Sequence, residues 1–217
     1  MKNKSLPYGL ALIVALCSSG VAQETNNSSQ IPIRTDEERV EFLHRVAETY
    51  FREKDLSSAI SAYERILEID PKNKQARYVV AHVYISAHEY DKAEQLLASL
   101  IEEFPDEFDL KNNLAWLYAT AEDPAFRNGE KAIQIAQEAM VLAPNDHHVW
   151  STLAEAYYIN GEYEKAYRAI NHMAQLAARY GKGLSKESVD AYNEQIRKCK
   201  RALDTQKMLD ENNAEED

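Results

Sequence analysis

Trp150–Met173, WSTLAEAYYINGEYEKAYRAINHM, is the stretch that decides the fold. Leu153, Ala154 and Tyr157 recur at helical spacing, Asn160-Gly161 interrupts them, and Ala166, Ile170 and Met173 resume the same period. Two amphipathic helices folded back on each other at Gly161 account for that order, with the apolar residues on the two facing stripes. Most of the remaining chain is a variation on this stretch.

The variation is periodic. Tyr50, Tyr84, Tyr118 and Tyr157 lie 34, 34 and 39 residues apart, and Ala59, Ala93, Ala132 and Ala166 lie 34, 39 and 34 apart. A single insertion of 39 − 34 = 5 residues explains both series. It must fall between Tyr118 and Ala132, where AEDPAFRNGE (Ala121–Glu130) carries the Pro and Gly of a longer loop. Pro71, Pro105 and Pro144, each placed to end a helix, repeat the 34 and the 39. Unrelated helices would not share one phase at three landmarks.

This pattern resembles the tetratricopeptide repeat, whose unit of about 34 residues runs Trp, Leu-Gly, Tyr, Ala, Phe, Ala, Pro. The resemblance implies an all-α fold, a right-handed α-solenoid of about four helical hairpins. The repeats fall near 40–73, 74–107, 108–146 with the insertion 121–130, and 147–180. Ala47, Ala81, Ala115 and Ala154 stand where the family has a glycine at the crossing of helices A and B, a place that admits only a small side chain. Arg77 stands where the family has Trp, so that packing contact is expected to be weakened or replaced.

The amino terminus reads as a targeting device. Lys2 and Lys4 precede the apolar run Leu10–Leu16, too short for the roughly 20 residues of a membrane span, and Gly20-Val21-Ala22 offers a cleavage site after Ala22. Lipidation at Cys17 is not expected, because Leu16 occupies the position where that signal wants a small residue. Export is therefore expected, to the periplasm first and secretion as the alternative. Residues 23–34 are polar and aperiodic, a flexible leader. Removing Lys2 and Lys4 takes the formal charge from −11 to −13, which argues against nucleic acid and anionic membranes and for a neutral or basic protein or peptide partner. Cys199 is the only cysteine left after cleavage, so no disulfide forms within the mature chain.

Thr35-Asp36-Glu37-Glu38 has the form of a capping box and predicts a helix start. Beyond Gly181-Lys182-Gly183, Ser185 reads as an N-cap. Val189, Tyr192, Ile196, Cys199 and Leu203 then give one apolar stripe on a charged helix, over 185–208, suited to sealing the end of a solenoid. Cys199 lies in that stripe and reads as a buried, inert thiol. The acidic residues 209–217 read as a disordered tail.

No phosphate loop, zinc-hydrolase HExxH or nucleophile elbow is present, and six glycines leave little material for such loops. Among the six histidines, His147-His148 point about 100° apart on a helix, and His82 and His88 straddle opposite faces. Neither a metal site nor a cofactor is expected, and the chain is not expected to be an enzyme.

The resemblance places the second, fifth, ninth and twelfth residues of each helix A on the concave surface. Carried over, that gives Glu41, His44, Glu48 and Phe51; Gln75, Tyr78, His82 and Ile85; Asp109, Asn112, Trp116 and Ala119; and His148, Ser151, Glu155 and Tyr158. The expected peptide-binding groove is His44, Glu48, Tyr78, His82, Asn112, Trp116, Ser151 and Glu155. Asparagine can bond a peptide backbone in both senses, and aromatic rings pack on its side chains. Chaperone-docking members of the family hold a terminal carboxylate with lysines and asparagines. Here His44, Tyr78 and Ser151 replace most of that set, and Glu48 and Glu155 would repel a carboxylate. The alternative is an assembly role in an outer-membrane or secretion complex, through the convex face, the termini or an exposed Phe126 on the insertion. Set against that, Phe126 folding back over the third repeat is the preferred reading.

Overall fold

The computed structural model describes residues 35–180 and 185–216, so the expected signal peptide, the leader and the Gly181-Lys182-Gly183 break lie outside the described residues. Among the described residues the regular structure is all helical, and the chain is an α-solenoid. The helices are α1 (Asp36–Arg52), α2 (Leu56–Ile69), α3 (Lys74–Ser86), α4 (Tyr90–Glu103), α5 (Phe108–Thr120), α6 (Gly129–Leu142), α7 (His147–Ile159), α8 (Tyr163–Tyr180) and α9 (Lys186–Glu216). Successive helices pair as hairpins, each hairpin packs on its neighbours, and α9 packs on α8.

The helix starts follow from short polar side chains. Thr35 Oγ1 accepts from the Glu38 backbone N–H while Glu38 accepts from that of Thr35, the capping box of α1. Asp55, Asn73, Asn128 and Asp146 each accept backbone N–H groups at the starts of α2, α3, α6 and α7, satisfying donors that a helix leaves orphaned. Ser185 Oγ does the same for α9 by accepting from Ser188.

Every turn between paired helices reuses one bond. The carbonyls of Tyr50, Tyr84 and Tyr157 accept from the N–H of the residue five further on, at 2.9 Å each. In the third repeat Tyr118 accepts instead from Asn128, ten residues on, at 3.0 Å. The insertion is thus spliced into a turn whose closing bond is unchanged. Lys54 (φ 62°), His88 (φ 62°) and Gly161 (φ 78°) hold the left-handed position of the other three turns. Only Gly161 does so without a Cβ penalty.

Between repeats the core is small-on-large. Ala47, Ala81, Ala115 and Ala154 at the crossings, and Ala59, Ala93, Ala132 and Ala166 on the second helices, are all fully buried. Tyr63, Ile66, Leu97 and Leu100 fill the spaces between them, each aliphatic side chain contributing about 1.5–3 kcal/mol by leaving water. At the position of the family's Trp, Arg77 donates to Glu103 at 2.5 Å and to Ser99 at 3.2 Å, and Lys111 bonds Glu138 at 2.7 Å. An ion pair replaces the ring at both positions, and only Trp150 keeps it.

One sequence expectation changes here, and the preferred one for Phe126, that it folds back, holds with a different packing partner. The helix α9 continues through Glu216, so the acidic stretch 209–216 is helix rather than a disordered tail. No Gly or Pro follows Ser185, and strong helix formers with i,i+4 contacts such as Gln206 to Asp210 (2.7 Å) carry the helix past its last apolar residues. Phe126 is half-buried, its ring 5.4 Å from that of Tyr90 in the second repeat, and so is not an exposed handle on the insertion. It folds back further than the third repeat, onto the start of α4.

Candidate functional site

The first helices of the hairpins turn one face inward, and part of that face forms a hollow between α3, α5 and α7. There a groove of about 510 Å³ is lined by Tyr78 and His82 of α3, Asp109, Asn112, Asn113 and Trp116 of α5, and His148, Ser151 and Thr152 of α7, with Tyr192 of α9 at its rim. Helical periodicity brings these residues together: Tyr78 and His82 are one turn apart, as are Asn112 and Trp116. Burial and the neighbouring Asp109 raise the Tyr78 phenol, while the Asn113 side chain at its hydroxyl works the other way. The His82 imidazole is held below its usual value by desolvation, and its ring stands edge-on to Phe51 at 5.8 Å.

Asn112 carries an acceptor that nothing in the described residues uses. Its Oδ1 is buried and has no hydrogen-bond partner. Leaving such an atom unsatisfied costs about 1–3 kcal/mol, a cost removed if the amide turns its oxygen out to a ligand N–H.

Of the eight residues expected in the groove, Tyr78, His82, Asn112, Trp116 and Ser151 line this space. His44 and Glu48 do not. The His44 ring lies 6.0 Å from that of Tyr63 with its Nδ1 buried, and Glu48 is exposed. Ser151 and Glu155 are 7% and 8% exposed because α9 lies over them. Ser151 Oγ donates to Gln195 Oε1 at 2.8 Å, Gln195 Nε2 donates to the Ser151 carbonyl at 2.9 Å, and Lys198 bonds Glu155 at 2.6 Å. Glu155 is therefore a seat for α9 and not a free groove acid, and Ser151 has both polar groups engaged. A second depression of about 500 Å³, beyond Trp116, contains Glu155, Tyr158 and Lys198.

The helix α9 thus both seals the last hairpin and forms one end of the groove. Cys199, fully buried against Ala154, Ile170 and Met173, has its thiol pushed up to about 11 by desolvation, which keeps it protonated and unreactive. Tyr192, a groove residue that periodicity assigns only to a sealing stripe, reaches His147 Nδ1 at 3.0 Å and His148 Nδ1 at 3.2 Å. The signal that could have found this arrangement is Gln195 and Lys198, polar residues bordering an apolar stripe. Beside the insertion, a depression of about 590 Å³ is walled by Tyr90, Phe126 and charged side chains. No group of three or more His, Cys, Asp or Glu among the described residues could hold a metal ion, and no described helix is long and apolar enough to cross a membrane.

The model of the tetratricopeptide repeat family matches residues 50–117. The chain is 27% identical over 150 residues to TPR repeat-containing protein MJ1428 of Methanocaldococcus jannaschii, covering 67% of this chain and 24% of that protein. It is 25% identical over 130 residues to Superkiller protein 3 of Schizosaccharomyces pombe, covering 58% of this chain and 9% of that protein. The match spans less than a quarter of either relative. In fold, the chain is similar to TTC0263, a thermophilic TPR protein of Thermus thermophilus, with a TM-score of 0.55 at 18% identity over 74% of this chain and 89% of that one.

Proposed function

We propose, on the premise that the chain is a tetratricopeptide repeat protein, that it is a non-enzymatic interaction scaffold holding a peptide segment of a partner protein in its concave groove. The observation that carries this reading is the composition of the groove between α3, α5 and α7. It sets the rings of Tyr78 and Trp116 beside the amides of Asn112 and Asn113 in a space of about 510 Å³. Rings supply contact area at little entropic cost, and the Asn112 amide, whose oxygen has no partner within the chain's described residues, can turn to offer an acceptor to a backbone N–H. Fold alone would not warrant a binding role, whereas this arrangement of side chains supports one. The export signal read in residues 1–22 sets the expected compartment, the bacterial envelope.

The test is selection from a displayed dodecapeptide library on the whole chain, with the Tyr78→Ala/Trp116→Ala double variant beside it. Peptides held by the parent and lost by a variant of unchanged helicity support the groove. Peptides held equally by both move the binding surface elsewhere. The compartment is tested separately, by fusing residues 1–34 to a reporter enzyme active only after export.

A further inference from the structure

In the fourth repeat the concave face already holds a cation. Lys198, reaching across from α9, places its ammonium 2.6 Å from Glu155 and 4.0 Å from the centroid of the Tyr158 ring. A carboxylate and an aromatic face on the inner surface, filled by a lysine from a segment lying over them, form a complete binding unit within this chain. Both attractions act together here, since the ring quadrupole and the carboxylate draw the same charge and the Glu155 side chain is only 10% exposed.

The open groove contains the same parts without the cation. Asp109 is half-buried on its floor, close enough to Tyr78 for its charge to raise the phenol, and Tyr78 supplies the ring. The neighbouring acids are already engaged. Glu107 is paired with Lys74 at 2.6 Å, and Asp146 caps α7 by accepting from the His148 and Val149 N–H groups. Asp109 has no ion pair among the described residues. Its position in the first turn of α5 lets the helix N-terminus tolerate the charge, while burial and the nearby Asp146 and Glu107 disfavour it and His148 favours it.

We infer that the Asp109–Tyr78 end of the groove is a socket for a lysine or arginine side chain of the bound peptide, the counterpart for a ligand of what Glu155 and Tyr158 do for Lys198. The inference rests on the groove reading and narrows it: the partner segment is one with a basic residue at a fixed place, not merely a neutral one. A charge-assisted hydrogen bond to a half-buried carboxylate gives such a residue a discrimination of about tenfold over a neutral isostere.

The experiment is a double cycle on the whole chain by calorimetry. The peptides are library-selected dodecamers and their Lys→Gln or Arg→Gln replacements, and the proteins are the parent and Asp109→Asn, with Tyr78→Ala/Trp116→Ala as a further arm. The expected result is a fixed basic residue among the selected peptides. Its replacement by Gln weakens binding to the parent about tenfold and changes binding to Asp109→Asn little. The inference is overturned if the selected peptides hold no fixed basic residue, or if Asp109→Asn discriminates Lys from Gln as the parent does. The groove reading itself fails, and this inference with it, if no selected peptide responds to Tyr78→Ala/Trp116→Ala. A melting temperature for Asp109→Asn within about 2 °C of the parent shows that the cycle compares folded proteins.

Discussion

Gln195 of α9 and Ser151 of α7 exchange two hydrogen bonds, 2.8 and 2.9 Å long, across a contact where both residues are less than a tenth exposed. A buried amide facing a backbone carbonyl and a hydroxyl satisfies both in one geometry. The pair therefore fixes where α9 crosses the inner face and where the groove ends.

Replacing Gln195 by Ala leaves the Ser151 hydroxyl buried without a partner and removes the second donor from the Ser151 carbonyl, which keeps its bond within α7. The expected cost is about 2 kcal/mol, borne locally because each hairpin of a solenoid leans only on its neighbours. Hydrogen exchange checks it: amides of α9 should exchange roughly 30-fold faster while those of α1–α4 keep the parent's rates. Uniform acceleration along the chain would show instead that α9 unfolds only with the whole molecule.

Lys198 and Glu155 are unequal partners. The Glu155 side chain is 10% exposed and that of Lys198 is 35% exposed. Lys198→Ala strands a carboxylate in a dry place, whereas Glu155→Gln leaves an ammonium that can turn to water. Lys198→Ala should cost about 2 kcal/mol by denaturant unfolding and Glu155→Gln under 1 kcal/mol. The reverse order would mean that the pair contributes through the lysine's packing on Tyr158 rather than through charge.

Gly129 opens α6 against the end of α7. A Cβ there would stand 2.9 Å from Asn160 Oδ1, 3.0 Å from its Cβ and 3.3 Å from its Cα, and the backbone atom cannot swing aside. The amide of Asn160 is itself held by Glu162 at 2.9 Å. Gly129→Ala should destabilise by about 1–3 kcal/mol, against the gain that alanine gives in an unobstructed helix. A higher melting temperature for this variant would show that the hairpins can separate at no cost.

The hairpins and their crossings were legible in the sequence because Tyr50, Tyr84, Tyr118 and Tyr157, and the alanines beside them, repeat one structural task at one interval. That Tyr78, Asn112 and Trp116 share one hollow was legible through the resemblance, which puts them at inner positions of their helices. The fate of Ser151 and Glu155 was not. It depends on where α9 crosses, a tertiary event, and Gln195 and Lys198 look like ordinary polar flank residues until they are seen against α7. Likewise Gly161 marked a turn in the sequence, whereas Lys54 and His88 adopt the same left-handed conformation with no local signal, held there by the turn's hydrogen bonds.

Acid should loosen the end of the groove. Desolvation, aided by the facing His148 and opposed by Asp146, holds the His147 imidazole below its usual value, and its Nδ1 meets the Tyr192 hydroxyl. The folded state thus resists a proton that the unfolded chain accepts near pH 6.5. Stability is fully present above that pH and is lost as pH falls through 6.5 toward the folded-state value. His147→Gln should flatten the fall in melting temperature between pH 7.5 and 5.5, in part only, because His82 is shifted in the same direction by desolvation. An unchanged slope would remove His147 from this account.

The central claim, that the inner face between α3, α5 and α7 is the working surface, is tested most directly by chemical-shift mapping of the whole chain with a library-selected peptide. Perturbations should gather on Tyr78, Asn112, Asn113 and Trp116, with the Trp116 indole among the largest, and leave α2 and the outer face of α6 unmoved. A footprint on the insertion, the outer face or the far end of α9, with the groove residues silent, would contradict it.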